Sequence, residues 1–76
     1  MSSPAQIRMA RAAIGWSVRE LAKHSGVAES TILRFETGKG GMQTGTLDRI
    51  EEALVKAGVI FISADGAGGA GVRLAK

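Results

Sequence analysis

Residues 17–37 read Ser-Val-Arg-Glu-Leu-Ala-Lys-His-Ser-Gly-Val-Ala-Glu-Ser-Thr-Ile-Leu-Arg-Phe-Glu-Thr. The stretch holds two short helices and a tight turn. Ser17 is placed to accept a hydrogen bond from the backbone N–H of Glu20, and Glu20 to reach back to the N–H of Ser17, which makes a capping box. Trp16 before the cap and Leu21 inside the helix can close a hydrophobic staple over it. Leu21 and Ala22 face inward, and Gly26 stops the helix where the chain needs positive φ. In the second helix Ile32 and Phe35 share one face, while Glu29, Ser30, Leu33 and Arg34 lie on the other. A short helix, a glycine turn and a helix with a polar outer face form a helix-turn-helix.

Working outward, Met1 to Ser3 are expected to fray, with Ser3 available as a cap. Pro4 suits the first turn of a helix over 5–14. Ile7, Ala10 and Ile14 recur at helical spacing with Ala13 beside them, and Arg8 and Arg11 lie off that stripe. Gly15 stops this first helix. The second runs over 17–25 and the third over 29–37, whose cap position, Ala28, offers no side-chain acceptor. Val27 and Ile32 can still staple its start. Gly38-Lys39-Gly40-Gly41 is a loop. A fourth helix over 44–57 follows from Leu47, Ile50 and Leu54, with Asp48, Arg49, Glu51, Glu52 and Lys56 on its exposed side. A Glu52–Lys56 pair there is worth only a few tenths of a kcal/mol.

After Gly58 the period changes. Val59-Ile60-Phe61-Ile62-Ser63 is β-branched and aromatic and reads as a strand over 59–63; 64–70 is a glycine-rich loop; 71–75 reads as a second strand. The expected fold is therefore mainly α: a four-helix domain over 4–57, then a β-hairpin tail over 58–76. A lone two-stranded hairpin is marginal in water. The first strand is apolar on both faces, so one face is expected on the helices and an edge or face at a contact with a second copy of the chain. The residues assigned to that homodimer contact are Val59, Ile60, Phe61, Ile62, Val72 and Leu74.

At 76 residues the chain is one domain. A domain this small buries only about 60% of its unfolded surface and draws roughly 3–5 kcal/mol from its core. It contains no cysteine, so neither a disulfide nor a thiolate metal site can staple it. Oligomerisation is the remaining staple. No apolar run reaches the roughly 18 residues of a membrane span, and no signal peptide is apparent at the N-terminus, so the expected location is the cytoplasm, away from membranes. The net charge is +3, and its placement carries more information than its size. Residues 1–40 hold Arg8, Arg11, Arg19, Lys23, Arg34 and Lys39 against Glu20, Glu29 and Glu36; residues 41–76 balance. All the excess positive charge lies in the half with the helix-turn-helix, which suits a polyanionic partner.

Catalytic and cofactor chemistry finds little support. Gly66-x-Gly68-x-x-Gly71 matches a dinucleotide-binding fingerprint in letters, but that chemistry needs a helix to open at the motif inside a βαβ unit, and a strand follows here. The sole histidine, His24, reads as a surface residue, with a phosphate contact as the minor alternative, and one histidine without cysteine makes a zinc site very poor chemistry. Glu51 and Glu52 diverge on their helix. Arg11 and Glu36 are placed to form an ion pair from the first helix to the end of the third. The expectation is a non-enzyme without cofactor or metal.

Residues 6–57 carry a resemblance. Gln6-Ile7-Arg8 and Arg11, Gly15-Trp16-Ser17, Glu20-Leu21-Ala22, Ser25-Gly26-Val27, Ser30-Thr31-Ile32, Phe35-Glu36-x-Gly38-Lys39, Thr46-Leu47-x-x-Ile50 and Ala53-Leu54 resemble the Cro and phage-repressor type of helix-turn-helix domain, the xenobiotic-response-element (XRE) family. The tail looks like that of a short bacterial subgroup ending in a β-hairpin. Two positions depart from the pattern: Ala28 replaces the usual Ser or Thr cap, and Val18 stands where many members have glutamine.

The resemblance implies a sequence-specific regulator of transcription whose partner is double-stranded DNA, with the third helix entering the major groove. At the matched positions Glu29, Ser30 and Arg34 face bases, with Thr31 and Leu33 as lesser contacts. Ser17, Arg19, Lys39, Gln43 and Thr44 hold phosphates. One domain reads only a few base pairs, so a dimeric repressor on an inverted repeat is the expected form. The alternative is an antitoxin or other interaction module whose hairpin holds a partner protein.

Overall fold

The computed structural model describes residues 2–76; the fraying expected of Met1 lies outside them. The order is α1 (Pro4–Ile14), α2 (Val18–Ser25), α3 (Glu29–Glu36), α4 (Thr44–Lys56), β1 (Val59–Ile62) and β2 (Gly71–Leu74). Four helices and a terminal antiparallel hairpin are the mainly α architecture that the periodicity predicts. The elements differ from expectation only at their ends. Thr37 caps α3 instead of extending it, Ala57 does the same for α4, and the strands stop before Ser63 and Ala75.

The start of α1 departs from the expected fraying. Ser2 is buried, and Ser3 is a full N-cap: its Oγ accepts from the Gln6 N–H at 3.2 Å, and Gln6 Oε1 accepts from the Ser3 N–H at 2.8 Å. The reciprocal capping box expected at Ser17 and Glu20 thus closes here instead. At α2 only half of it forms. Ser17 Oγ accepts from the Glu20 N–H at 3.1 Å, while the Glu20 carboxylate lies 3.7 Å from His24 Nε2, one turn on. Gly15 and Gly26 both adopt φ +72°, the left-handed conformation that closes α1 and α2 without a Cβ penalty. The buried stripe of α1 is Gln6, Ile7 and Ala10, with Ile14 packed at its edge; Ala13 is exposed, and Gln6 takes the inward place instead.

Leu21, Val27, Ile32, Phe35, Leu47, Ile50, Ala53, Leu54 and Val59 complete the core with Ile7 and Ala10. Both expected staple residues of α3, Val27 and Ile32, are among them. The Trp16 ring lies half-buried against this core and stacks on the His24 imidazole, centroids 4.3 Å apart and planes within 8°. That stack gives His24 a neighbour which the sequence reading did not foresee.

The hairpin pairs Val59 with Leu74, Ile60 with Arg73, Phe61 with Val72 and Ile62 with Gly71. Alternation therefore puts Val59, Phe61, Val72 and Leu74 on the inner face, against α1 and α4, and Ile60, Ile62 and Arg73 on the outer face. Val59 is 1% exposed, and Phe61 and Val72 pack against the core. Gln6 fastens the far end: its Nε2 donates to the carbonyls of Ile62 and Gly71, each at 3.1 Å, one on either strand. The glycine-rich loop is ordered by Asp65, whose Oδ1 accepts from the N–H groups of Ala67 and Gly68 at 2.8 and 3.0 Å. A strand follows Gly71, so the dinucleotide-binding match has no helix to serve it.

Candidate nucleic-acid interface

The outer face of α3 is set by what its inner face must do. Ile32, Phe35 and Glu36 turn inward, so Glu29, Ser30, Leu33 and Arg34 turn outward as one exposed stripe, with half-buried Thr31 at its margin. Leu33 is 53% exposed, an apolar side chain without cover in the middle of a polar stripe.

The C-terminal end of α3 is anchored by α1. Arg11 grips Glu36 bidentately, with Nε to Oε2 and Nη2 to Oε1 both at 2.7 Å. The third nitrogen, Nη1, donates to the Trp16 carbonyl at 2.9 Å. Arg8 Nη1 donates to the backbone carbonyl of Glu36, one of the unpaired acceptors at the helix end. The Glu36 side chain is 2% exposed and that of Arg11 21%. The Arg11 pKa is raised above its ordinary value, chiefly by the hydrogen bonds to Glu36, against the opposing effect of burial. A raised cation pKa leaves the contribution of the pair intact below the ordinary arginine range, to be lost only in far-alkaline solution.

The residues expected at phosphates are all exposed. Ser17 and Arg19 are exposed at the start of α2, Lys39 is exposed on the loop after α3, and Gln43 and Thr44 are exposed at the start of α4. Ser17 Oγ already accepts from the Glu20 N–H, which leaves its hydroxyl proton to donate outward. Gln43 is the N-cap of α4 and makes no side-chain capping bond, and the first turn of α4 holds no acidic residue. The positive end of that helix is therefore not neutralised from within its own first turn.

The ion pairs among the described residues are Arg11–Glu36 and Lys56–Glu52, and Glu20 lies 3.7 Å from the His24 imidazole, so Arg19, Arg34 and Lys39 are not consumed by acidic neighbours. The described residues also hold no group of three acidic, histidine or cysteine side chains that could bind a metal. No described helix is long and apolar enough to cross a membrane.

The hairpin residues assigned to a dimer contact fall into two sets. Val59, Phe61 and Val72 are engaged in the protomer's own core, Val59 completely, whereas Ile60, Ile62 and Leu74 remain exposed. The sequence reading gave Gln6 no place in holding the hairpin. The signal available was a polar residue one position before the apolar stripe of α1, which by itself does not say what it meets.

No curated protein matches the chain. A family model described as a helix-turn-helix domain matches residues 5–55, which is consistent with the XRE-type resemblance and takes in α2, α3 and all but one residue each of α1 and α4. The chain belongs to the helix-turn-helix domain family.

Proposed function

We propose that this DNA-binding domain is a sequence-specific transcriptional regulator of the Cro/phage-repressor (XRE) type, a cytoplasmic, non-enzymatic dimeric repressor that reads an inverted repeat through α3 in the major groove. The observation that carries the reading is the exposed stripe of α3 with Arg34 outside any ion pair, alongside the equally exposed and unpaired Arg19 and Lys39. Arg34 is the base-reading residue, since a guanidinium matches the paired acceptors of a guanine edge and contributes about 1–3 kcal/mol of discrimination. Glu29 accepts from a cytosine amino group or excludes wrong sites by charge. Ser30 and Thr31 add hydrogen bonds, and exposed Leu33 suits a thymine methyl. Ser17, Arg19, Lys39, Gln43 and Thr44 hold phosphates and set register and salt dependence.

Selection of bound duplexes from a random pool tests this. Arg34→Ala is expected to relax preference at one base pair, and Lys39→Ala to weaken all sites alike. A chain that binds no duplex better than random DNA at moderate salt refutes the reading.

A second reading draws on the exposed Ile60, Ile62 and Leu74 of the hairpin. In it the hairpin holds a different protein, as in an antitoxin. Affinity purification yielding a stable hetero-complex in place of a homodimer would favour it, and DNA binding could coexist with it.

A further inference from the structure

The chain has eleven glycines, and they are there for different reasons. Gly15, Gly26, Gly38 and Gly58 have positive φ, where a side chain is strained. Gly40 is not one of these, so its backbone conformation does not require glycine. It stands apart in another respect. A Cβ added at Gly40 would lie 2.9 Å from Arg34 Cδ and 3.5 Å from Arg34 Cγ, whereas at every other glycine it would meet nothing within 4 Å. Carbon atoms are at their best separation near 3.5–4.0 Å, so the nearer contact is well inside repulsion. A side chain at Gly40 would therefore have to displace the aliphatic stem of Arg34.

The loop that carries Gly40 is hung from the same residue. The Lys39 N–H donates to the Arg34 carbonyl at 3.0 Å, and Thr37 Oγ1 donates to the carbonyls of Leu33 and Arg34 at 2.9 and 3.2 Å. The Gly38 N–H donates to the Phe35 carbonyl at 3.1 Å. These bonds fold the chain back at the end of α3, and the side-chain position of Gly40 falls on the aliphatic stem of Arg34.

We propose that Gly40 is a positioning residue for Arg34: its side-chain-free backbone is a shelf that holds the arginine stem in one rotamer before DNA arrives. The proposal rests on the base-reading role of Arg34 given above. Arginine is among the side chains with most rotamer freedom to lose, and ordering such a side chain in advance removes part of the cost of binding. The loop thus contributes to specificity through a residue that itself touches no base. Lys39, one position earlier, keeps its own tether to the Arg34 carbonyl, so the phosphate contact and the rotamer shelf can be separated by experiment.

The test uses the full chain with Gly40→Ala, Arg34→Ala and the double variant. Binding is measured to the duplex selected by the unaltered protein and to its single-base variants, over a range of salt. Gly40→Ala is expected to reduce preference about two- to tenfold at the base pair most sensitive to Arg34→Ala, leaving other positions and the salt slope unchanged. In the Arg34→Ala background it is expected to change nothing. An unaltered preference, or an equal effect with Arg34 removed, overturns the proposal.

The Arg34 Nε–Hε resonance of the free protein supplies a readout without DNA: Gly40→Ala is expected to shift it, and an unmoved signal also overturns the proposal. A protein that selects no duplex refutes the regulator reading, and base positioning with it. A shifted resonance would then uphold only the contact between Gly40 and Arg34, which separates the two failures.

Discussion

Glu36 is a carboxylate with a 2% exposed side chain in a domain with little core to spare. It is tolerable because Arg11 meets both oxygens and Arg8 occupies the carbonyl of the same residue. Removing one partner of a buried pair leaves the other charge unsolvated, at a cost of about 3–5 kcal/mol. The whole stability of a chain this long is on the order of 4–11 kcal/mol. Arg11→Met is therefore expected to remove a large part of it, seen as a lower urea midpoint, and the double change Arg11→Met with Glu36→Leu to recover most of the loss. A midpoint left in place by Arg11→Met would show that the pair contributes little to stability. The pair does more than stabilise: it sets the end of α3 relative to α1, and with it the stripe proposed to read bases.

At the scale of the element, the hairpin and α3 are held in opposite ways. The hairpin lies far from the helix-turn-helix in sequence yet is clipped to α1 by Gln6, which reaches one carbonyl on each strand and also completes the Ser3 cap. At about 1 kcal/mol per hydrogen bond, Gln6→Ala is expected to cost roughly 2–3 kcal/mol. Native-state hydrogen exchange should speed first in Val59–Ile62 and Gly71–Leu74, ahead of α2 and α3. Uniform acceleration would mean that hairpin and helices open as one unit. The start of α3, by contrast, has no side-chain cap, because Ala28 takes the extended N-cap conformation but brings no acceptor. Its first-turn N–H groups have no side chain satisfying them, in the segment that the proposed function turns toward DNA.

For the whole molecule, the question is what the outer face of the hairpin meets. Ile60 and Ile62 lie beside one another on that face and are exposed, while Val59, Phe61 and Val72 of the inner face are engaged by the protomer's own core and Leu74 at its end is not. Surface changes usually move stability by no more than about 0.5 kcal/mol. Ile60→Lys should therefore leave the fold intact and act on association alone. Under the dimer proposal, light scattering is expected to give a monomer, and affinity for an inverted repeat to drop toward that of a half-site. The slope of log affinity against log salt should fall by about half, since half the phosphates are neutralised. A dimer that persists would move the interface off this face.

Much of this was legible in the residues themselves. Helical spacing, glycine stops and the switch to β-branched residues after Gly58 are local signals, and they gave the four helices and the hairpin to within a residue or two. The inward set of α3 was equally legible, because Ile32 and Phe35 leave one face for the core and the other for solvent whatever lies beyond. Pairing Arg11 with Glu36 was also within reach, as a long cation and a carboxylate on elements expected to touch.

The structure corrected one local expectation as well, closing the capping box at Ser3 and Gln6 and only half of the one at Ser17 and Glu20. It alone showed that Gln6 belongs to the hairpin as well as to α1, and that Val59 is used up inside the protomer while Ile60 is left outside. It alone gave Gly40 its neighbour. Propensity and periodicity act through neighbours a few positions away in the chain, whereas a buried amide, a spent strand face or a missing Cβ acquires its role from atoms brought near by the fold.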